Sequence, residues 1–553
     1  MQKNQKVLIV GGVAGGASCA ARLRRQDEFA EIIVFEKGPY VSFANCGIPY
    51  YIGDVIQEEE ELLIASPELF RDRYNIDTRV NETVIGIDRT NKAIEIRKEN
   101  GETYHETYDY LVLSPGSQPI KPPISGIDIP GVFTVRTVPD GRHIRQWINE
   151  HSAKSAVVVG GGFIGLEMAE NLTERGLEVT IVEFADQVMP PLDKEMTLPV
   201  LSTLEAKGLQ VVLKDAVTAF EQNNNQIQVK TKEGKSFTVD LVIMAAGVLP
   251  DTQMLLDSGI DLGEKGHITV DNNLRTNDRS IFAVGDAVQI SNAITLQKTV
   301  LPLAGPANRQ GRLVADVIAG KGRFFRGVQG TSVCGVFDIT IASTGLNEKY
   351  LSNSGTDYGV VYAHPNDHVG YYPGATPIFL KLLFDKASGR VLGAQSVGQK
   401  GIERRIDVIA MAIQMGATVF DLEESELCYA PQYGAAKDPI NIVGMIAANV
   451  MRGDLHIIHW QDMHKDNGIV LDVRDPDETE GCIFPADKKI PLNDLRSRLD
   501  ELPKNQPINV SCAVGARAYN AVRLLMQHGF NASLLSGGAS AWFCINGKYP
   551  DAS

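Results

Sequence analysis

The sequence predicts an α/β protein in which residues 1–325 contain two parallel βαβ units. Each unit starts with an apolar, β-branched run, at residues 7–10 and 156–159, and each run ends in a glycine-rich turn. A helical pattern follows each turn and leads into a second apolar strand that ends in glutamate. Because buried parallel strands read as continuous apolar runs, the two repeats indicate two α/β domains with helices packed on their sheets.

Composition and charge narrow the class of protein. The chain has 553 residues, too many for one hydrophobic core, so we predict several domains. Its net charge of −15 argues against a nucleic-acid partner and favours a soluble, cytoplasmic protein. We predict no membrane partner, because no apolar run reaches about 18 residues, and no signal peptide, because the first strand starts at once. The seven cysteines are widely spread, which predicts reduced thiols rather than a disulfide framework.

The first glycine turn predicts a dinucleotide site. Its glycines allow a pyrophosphate to approach the backbone at the start of the following helix. Glu36 ends the second strand about 25 residues after Gly11, the spacing at which a carboxylate meets a ribose hydroxyl. The middle glycine of the G-x-G-x-x-G pattern is replaced here by valine. The residues predicted to bind this cofactor are Gly11, Val13, Ala14, Gly15, Gly16, Glu36 and Lys37.

The second glycine turn carries the full G-x-G-x-x-G pattern and predicts a second dinucleotide site. Glu183 ends its second strand and would accept hydrogen bonds from both ribose hydroxyls. Phe184 and Ala185 follow it and supply no cation for a 2′-phosphate, so NADH is favoured and NADPH remains possible. The residues predicted to bind this cofactor are Gly160, Gly162, Phe163, Ile164, Gly165 and Glu183.

A third motif indicates that the first ligand is a flavin. Residues 276–286 read as a short strand ending in Gly285 and Asp286, and they resemble the second flavin motif of the flavoprotein reductases that bind two dinucleotides. In that family the aspartate bonds the ribityl chain, so the resemblance implies bound FAD. Residues 110–116 and 241–247 resemble the family's crossover strands, which adds Pro115 and Gly116 to the FAD site. A paired NAD-binding dehydrogenase without flavin would leave Asp286 unexplained.

Cys46 is the candidate redox thiol. It follows the first βαβ unit near the start of a short predicted helix, where helix-end amides would stabilise its thiolate. Tyr51 occupies the position five residues on, so Cys46 has no partner for a C-x4-C redox pair. A lone thiol must store its oxidised state as a sulfenic acid, a persulfide or a mixed disulfide with a substrate thiol.

Residues 42–50 make the resemblance more specific. They resemble the single-cysteine subgroup of these reductases that contains coenzyme A-disulfide reductase, NADH oxidase, NADH peroxidase and coenzyme A-persulfide reductase. Residues 367–374 and 428–433 resemble the two tyrosine motifs of that subgroup's dimerisation domain. The resemblance implies a homodimer with shared active sites, in which Tyr371 and Tyr429 reach the partner's active-site sulfur. A phenol there can donate a proton to a developing thiolate.

The same resemblance implies residues that hold coenzyme A as substrate or bound ligand. Its phosphates need cations, and Arg22 and Arg25 lie three residues apart on one helix. The family's histidine in residues 302–310 is replaced here by an asparagine. The predicted substrate-binding residues are Ser42, Asn45, Arg22, Arg25, Lys437 and Asn308.

The last hundred residues contain a second candidate thiol, Cys512. It ends an apolar strand and opens a tight loop before a helix, so backbone N–H groups turn toward its sulfur and stabilise a thiolate or persulfide anion. Residues 472–542 resemble a rhodanese domain, which implies a sulfur-transfer role for this thiol. They depart from it at Gly481-Cys-Ile-Phe, where rhodaneses usually read Gly-His-Ile-Pro. The predicted persulfide loop consists of Ala513, Val514, Gly515, Ala516 and Arg517.

The predicted fold class is α/β: two Rossmann-like dinucleotide-binding domains, an α+β dimerisation domain and a C-terminal rhodanese-like α/β domain. An FAD-binding domain in two parts, 1–120 and 250–326, encloses an NAD-binding domain, 121–249. The dimerisation domain follows at 327–455 and the rhodanese domain at 456–553. We predict no metal site, because no cysteine or carboxylate completes one with His456, His459 and His464.

The fusion of the two thiol domains predicts the function. A flavin-linked single cysteine reduces an S–S bond, and a rhodanese cysteine carries sulfane sulfur. Together they predict an NAD(P)H-dependent reductase of coenzyme A persulfide, or of other low-molecular-weight persulfides or polysulfides, that releases hydrosulfide. The enzymatic alternatives are a coenzyme A-disulfide reductase and an NADH oxidase, and a redox sensor is the non-catalytic one. The other cysteines, 19, 334, 428, 482 and 544, are predicted to be structural.

Overall fold

The computed structural model describes residues 5–480 and 484–546, which form two compact units. The first unit contains the described residues up to Asp186 together with Leu209–Val328. The second contains Gln187–Gly208 and the described residues from Gln329 onward. The sequence placed residues 187–208 in the NAD-binding domain, whereas the structure packs this segment within the second unit. Of the predicted departure from the rhodanese pattern, which begins at Gly481 and includes Phe484, residues 481–483 lie outside the described residues.

Two five-stranded parallel sheets form the core of the first unit, one for each βαβ repeat. At the centre of the first sheet, Val7, Leu8 and Ile9 are fully buried, as the continuous apolar run predicts. Both glycine turns therefore lie at the carboxyl end of a central strand, where α/β sheets bind ligands. In spatial order the strands are Ile281–Ala283, Tyr110–Leu113, Lys6–Val10, Glu31–Glu36 and Asp77–Val80 in the first sheet, and Gln210–Leu213, Glu178–Glu183, Ser155–Val159, Leu241–Met244 and Val132–Thr134 in the second.

Smaller sheets and helices complete the first unit. The helix that follows the first glycine turn, Ala14–Arg24, packs against Ala304–Ile318, and Gly311 permits this close approach because a Cβ there would lie 2.1 Å from the Gly15 carbonyl oxygen. The remaining helices are Ile48–Ile52, Pro67–Tyr74, Val138–Glu150 and Phe163–Glu174. The smaller sheets contain Glu82–Asp88, Ala93–Lys98 and Thr103–Thr107; Val217–Asn223, Gln226–Thr231 and Ser236–Val239; Ser117–Pro119 and Val248–Pro250; and Ile268–Thr269, Val288–Ser291 and Lys298–Thr299.

The second unit contains one antiparallel and one parallel sheet, each of five strands. In spatial order the strands are Ser332–Val336, Ile339–Gly345, Val391–Gly398, Ile378–Asp385 and Tyr358–Ala363 in the antiparallel sheet, and Ile457–Ile458, Ala532–Leu535, Ile508–Ser511, Ile469–Asp472 and Lys488–Lys489 in the parallel one. The helices are Lys194–Ala206, Glu348–Ser354, Ile402–Met415, Val419–Glu423, Pro439–Met451, Pro476–Thr479, Ala516–Gln527 and Gly538–Ile545. The predicted fold class is thereby confirmed. Within the described ranges, no helix combines the length and the apolar character that crossing a bilayer requires.

A buried cluster of charges, which we call the lysine cluster, holds the helix Lys194–Ala206 in the second unit. Lys381 is fully buried, and its ammonium donates to Asp193 at 2.7 Å and to Glu195 and Glu348 at 2.5 Å each. Tyr362 donates to Glu195 at 2.8 Å. A buried charge is tolerated only when it is paired, so the carboxylates and the ammonium depend on one another.

Candidate active site

The first glycine turn is packed so tightly that only glycine fits at two of its positions. Gly11 has a φ of +91°, and a Cβ there would lie 2.0 Å from the Ser114 carbonyl oxygen. A Cβ at Gly16 would lie 1.9 Å from the Gly11 carbonyl oxygen. Val13, which replaces the family's middle glycine, immediately precedes the helix that starts at Ala14 and is half-buried. The turn therefore keeps its shape despite the valine.

The second glycine turn repeats this packing and adds an open position. Gly160 has a φ of +112°, and a Cβ there would lie 2.4 Å from the Ala245 carbonyl oxygen. A Cβ at Gly165 would lie 2.0 Å from the Gly160 carbonyl oxygen. A Cβ at Gly162 would meet nothing within 4 Å, so the packing of the chain alone does not require glycine there. That openness fits a position at which a cofactor pyrophosphate approaches the backbone.

The two strand-ending glutamates occupy equivalent positions. Glu36 accepts from the backbone N–H groups of Gly12 at 2.9 Å and Gly38 at 3.0 Å. Glu183 accepts from those of Gly161 at 2.5 Å and Ala185 at 2.7 Å. Burial raises the pKa of Glu36, although both backbone hydrogen bonds act to lower it. Each carboxylate is thus held beside its glycine turn, where an adenosine ribose of FAD or NADH would meet it.

Asp286 lies at the end of the strand Ile281–Ala283, as expected, and sequence reasoning missed its partners. It accepts from Ser117 Oγ at 3.1 Å and from the Arg136 guanidinium at 3.2 Å. The backbone N–H of Gly285 donates to the buried Gln310 side chain at 2.7 Å. These residues fit FAD, which when bound would accept hydride from the nicotinamide and pass an electron pair to sulfur. Lys37, also predicted to bind this cofactor, forms an ion pair with Asp251.

Cys46 lies in the single turn of 3₁₀ helix Asn45–Gly47 and reaches solvent. Its thiol donates to Asn45 Oδ1 at 3.7 Å. Desolvation raises the pKa of Cys46, with further contributions from the charges of Glu167 and Asp286, while Arg136 lowers it. A backbone hydrogen bond at Cys46 also acts to lower this pKa, so amide stabilisation of the thiolate is present but is outweighed by desolvation in the polypeptide alone. The helix that follows, Ile48–Ile52, is little more than one turn long, and Pro49 in its first turn has no N–H group to donate.

Glu167, on the helix Phe163–Glu174, is a second residue that the sequence analysis did not single out. Burial, and secondly the charge of Glu170, raise the pKa of Glu167 to about 7. Its carboxyl group can therefore change protonation state near neutral pH. The only signal in the sequence was its place two residues after the glycine turn, which any helix-forming residue could fill.

Replacing Arg136 with methionine should raise the pKa of Cys46 further. The substitution removes a nearby cation that lowers this pKa and breaks the ion pair between Arg136 and Asp286. The fraction of Cys46 present as thiolate at neutral pH falls about tenfold for each pKa unit by which its pKa rises. Iodoacetamide should therefore alkylate Cys46 of the oxidised holoenzyme about three- to tenfold more slowly at neutral pH. Alkylation rates measured across pH check this. Arg145→Met, whose guanidinium pairs with Asp54 at 2.8 Å, is the control. An unchanged pH profile for Arg136→Met would contradict the assigned electrostatics.

The predicted coenzyme A residues are divided between the two units of the chain. Ser42 and Asn45 share the loop of Cys46. Arg22, by contrast, is paired with the buried Asp316 at 2.8 Å, whereas Arg25 is exposed. The two arginines thus lie in different environments on one helix, and binding of coenzyme A by either one stays a prediction. The other two predicted residues are Asn308, which is exposed and hydrogen-bonded to Ser18, and Lys437, which is exposed in the second unit.

The two predicted tyrosines lie together in the second unit. Their hydroxyl groups are 2.9 Å apart, which makes one hydrogen bond between Tyr371 and Tyr429. The side chains are 75% and 47% exposed. This hydrogen bond is the main cause of a raised pKa for Tyr371, so its phenol stays protonated at neutral pH. The pair can therefore act together as a proton donor at the surface of this unit.

Cys512 lies in a loop that packs closely against the glycine at position 538. It is buried, and its sulfur accepts from the backbone N–H of Gly515 at 3.1 Å, where φ is +103°. A Cβ at Gly538 would lie 2.5 Å from the Cys512 carbonyl oxygen, so only glycine fits under the loop. The neighbouring Ser536 accepts from the backbone N–H of Tyr362 in the antiparallel sheet at 3.2 Å. The predicted arrangement of strand, loop and helix is present.

Comparison with known proteins places these sites in a family. Residues 5–311 match the family model of pyridine nucleotide-disulphide oxidoreductases, residues 331–438 match the dimerisation domain of that family, and residues 458–543 match the rhodanese-like domain. The chain belongs to the pyridine nucleotide-disulphide oxidoreductase family. It is an NAD(P)H-dependent flavoprotein oxidoreductase with a C-terminal rhodanese-like domain, which confirms the predicted family and cofactors.

Three relatives are informative. A coenzyme A disulfide reductase of Staphylococcus haemolyticus is 34% identical over 448 residues, which cover 81% of this chain and all of the relative. The crystal structure of reduced Bacillus anthracis CoADR-RHD is 44% identical, with a TM-score of 0.96 over 99% of both chains. An NAD-dependent persulfide reductase from A. fulgidus is 38% identical, with a TM-score of 0.91 over 97% of this chain and all of that one.

Proposed function

We propose that this chain is an FAD-dependent NAD(P)H:coenzyme A-persulfide or polysulfide reductase that releases hydrosulfide. The observation that carries the proposal is the presence of two separate thiols, Cys46 near the flavin aspartate and Cys512 in a rhodanese-like loop. The first has no second cysteine nearby in sequence and must take its second sulfur from a bound molecule. The second belongs to a domain type that carries sulfane sulfur.

In the proposed reaction, the Cys46 thiolate attacks the persulfide of coenzyme A. Attack on the inner sulfur gives a mixed disulfide and releases hydrosulfide, and attack on the outer sulfur gives a Cys46 persulfide and releases the thiol. Reduction by an electron pair from NADH then restores the thiolate, and it releases coenzyme A from the mixed disulfide or hydrosulfide from the Cys46 persulfide. The dimerisation domain supports a homodimer in which Tyr371 and Tyr429 donate protons to sulfur leaving the partner subunit's site. Glu36 and Asp286 are proposed to hold FAD, and Glu183 to hold NADH.

A coenzyme A-disulfide reductase is the second candidate, because the Staphylococcus haemolyticus relative bears that name. That relative matches 81% of this chain, whereas the A. fulgidus persulfide reductase and the Bacillus anthracis CoADR-RHD match 97% and 99% of it. Coverage of the rhodanese-like domain therefore does not separate the two candidates. The persulfide is favoured because a sulfane-sulfur carrier has a use in persulfide reduction that it lacks in disulfide reduction.

Steady-state kinetics of the FAD-loaded enzyme with NADH test the proposal. Coenzyme A persulfide, coenzyme A disulfide and oxygen are compared as acceptors, and released sulfide is measured beside NADH consumption. We expect kcat/KM for the persulfide to exceed that for the disulfide at least about tenfold, a difference of about 1.4 kcal/mol in transition-state stabilisation. A higher kcat/KM for the disulfide, or NADH oxidation without sulfide release, would assign the enzyme to one of the alternatives.

A further inference from the structure

We infer that Cys512 takes sulfane sulfur from organic persulfides and discriminates against thiosulfate, because Glu478 and Asp475 hold the arginine of its loop in an ion pair. The inference rests on the proposed sulfur-carrier role of Cys512 and adds the class of donor. It concerns the described residues of the rhodanese-like domain, which include the whole loop from Cys512 to Arg517.

Arg517 is the cation of this loop, and its two terminal guanidinium nitrogens both bond carboxylates. It bonds both carboxylate oxygens of Glu478, at 2.5 and 2.6 Å, in the forked geometry that makes such pairs strong. Asp475 accepts from the same guanidinium at 3.0 Å. One positive charge therefore faces two carboxylates, and the region beside the loop has a net negative charge.

The rest of the loop offers backbone and apolar surface. Residues 513–516 read Ala-Val-Gly-Ala, and the Val514 side chain is 41% exposed. The polar contact made to the sulfur is the backbone N–H of Gly515. The nearby Arg474 is buried and is also ion-paired, since it donates to Asp472 at 2.8 Å. A donor that approaches Cys512 thus meets amide dipoles and methyl groups, with no uncommitted guanidinium in the loop.

Charge separates the two classes of sulfur donor at this loop. Thiosulfate is a dianion and must leave as sulfite, which is also a dianion, so its reaction needs a free cation near the sulfur. An organic persulfide carries at most one charge near the reacting sulfur, because the phosphates of coenzyme A lie at the far end of its pantetheine arm. The methylene chain of the arm can contact Val514. The carboxylates of Asp475 and Glu478 repel the first donor more strongly than the second.

The transfer step balances for the persulfide. The Cys512 thiolate attacks the outer sulfur of R–S–SH, a Cys512–S–SH bond forms, and the S–S bond of the donor breaks. The thiolate R–S⁻ leaves with the electron pair of the broken bond. No oxidant or reductant is consumed, and the bound sulfur stays at the oxidation level that a persulfide reductase needs.

The test measures single-turnover sulfur transfer to Cys512 by intact mass, in full-length, FAD-loaded protein carrying Cys46→Ser so that the flavin site consumes no sulfur. Coenzyme A persulfide and thiosulfate are compared at equal concentration. We expect the persulfide to react at least about 100-fold faster. Glu478→Gln should free Arg517 and raise the thiosulfate rate about tenfold, with less than about a twofold change for the persulfide. Asp475→Asn should act in the same direction.

The matched control is Asp477→Asn, which removes one negative charge from the same short helix, Pro476–Thr479. It should leave the thiosulfate rate within about twofold of the parent, since a charge in bulk solvent is screened. Equal rates for the two donors, or an equal response to Glu478→Gln and Asp477→Asn, would overturn the inference. No transfer from either donor would also overturn it. In that last case, sulfide release by the enzyme with Cys46 intact shows separately whether the proposed reductase function stands.

Discussion

Replacing Cys46 with serine is expected to lower NADH-dependent sulfide release from coenzyme A persulfide at least about 1,000-fold. A serine hydroxyl is too weak a nucleophile to attack the persulfide sulfur, and its oxygen cannot form the S–S bond that the flavin electrons would cleave. Hydride transfer from NADH to the flavin does not involve this side chain, so bleaching of the flavin in the stopped-flow instrument should keep its rate within about threefold. The combined result would separate loss of the acceptor half-reaction from loss of cofactor binding.

Cys19→Ala is the control for this substitution. Cys19 is fully buried in the helix Ala14–Arg24, and burial raises the pKa of its thiol to about 12, so it is unreactive at neutral pH. Its removal should leave sulfide release within about twofold. If Cys46→Ser retained a tenth or more of the activity, the single-thiol mechanism would be wrong, and the reduced flavin would have to react with the persulfide directly.

Replacing Lys381 with methionine is expected to lower the free energy of unfolding by about 3–5 kcal/mol, the usual effect of removing one partner from a buried ionic network. Methionine fills a similar volume, so the loss reports the charge rather than a cavity. Asp193, Glu195 and Glu348 would then share a buried site without a cation. Denaturant unfolding of the FAD-loaded enzyme, followed by circular dichroism, measures the change.

The loss should become smaller as the pH falls. In the native protein, Lys381 and the surrounding hydrogen bonds outweigh burial and lower the pKa of Glu195, so its contribution to stability is present above the unfolded carboxyl value and is lost as the pH falls through the lowered value. In Lys381→Met, burial is no longer offset, the carboxyl groups take up protons more readily, and acid relieves their repulsion. A loss that is constant from about pH 8 to pH 5 would contradict this account.

Lys386→Met provides the matched control. Lys386 pairs with Asp357 at 2.9 Å, but both side chains are more than half exposed. Exposed ion pairs contribute about 0–1 kcal/mol, because water and salt screen them. An equally large loss at Lys386 would show that the measured effect does not depend on burial.

The parts of the site that were predicted from sequence are those set by neighbours along the chain. The glycine turns and the strand-ending glutamates occur at fixed spacing, because one tight turn and one βαβ unit determine their positions. Cys512 was found in the same way, since strand, loop and helix follow one another directly. In each case the local backbone conformation determines both the residue type at the position and the place of that residue in the site.

The contacts that sequence reasoning missed join residues far apart in the chain. Arg136 meets Asp286 across 150 residues, and Arg22 meets Asp316 across 294. A charge pattern on one helix cannot show whether another helix supplies a buried carboxylate opposite it. The transfer of residues 187–208 to the second unit was missed for the same reason, since Lys381 lies nearly 190 residues from Asp193.

The contacts that hold the Cys512 loop in place affect how sulfur can be transferred from Cys512. Ser536 is tied to the backbone of Tyr362, and Gly538 lies against the Cys512 carbonyl group, so the loop and the antiparallel sheet belong to one packed body. Such an attachment restrains any swing of the thiol relative to that sheet. We therefore expect a small diffusible thiol to bind at the loop and accept the sulfur held on Cys512. The length and flexibility of that thiol, rather than hinge motion of the domain, should then limit the rate of sulfur transfer.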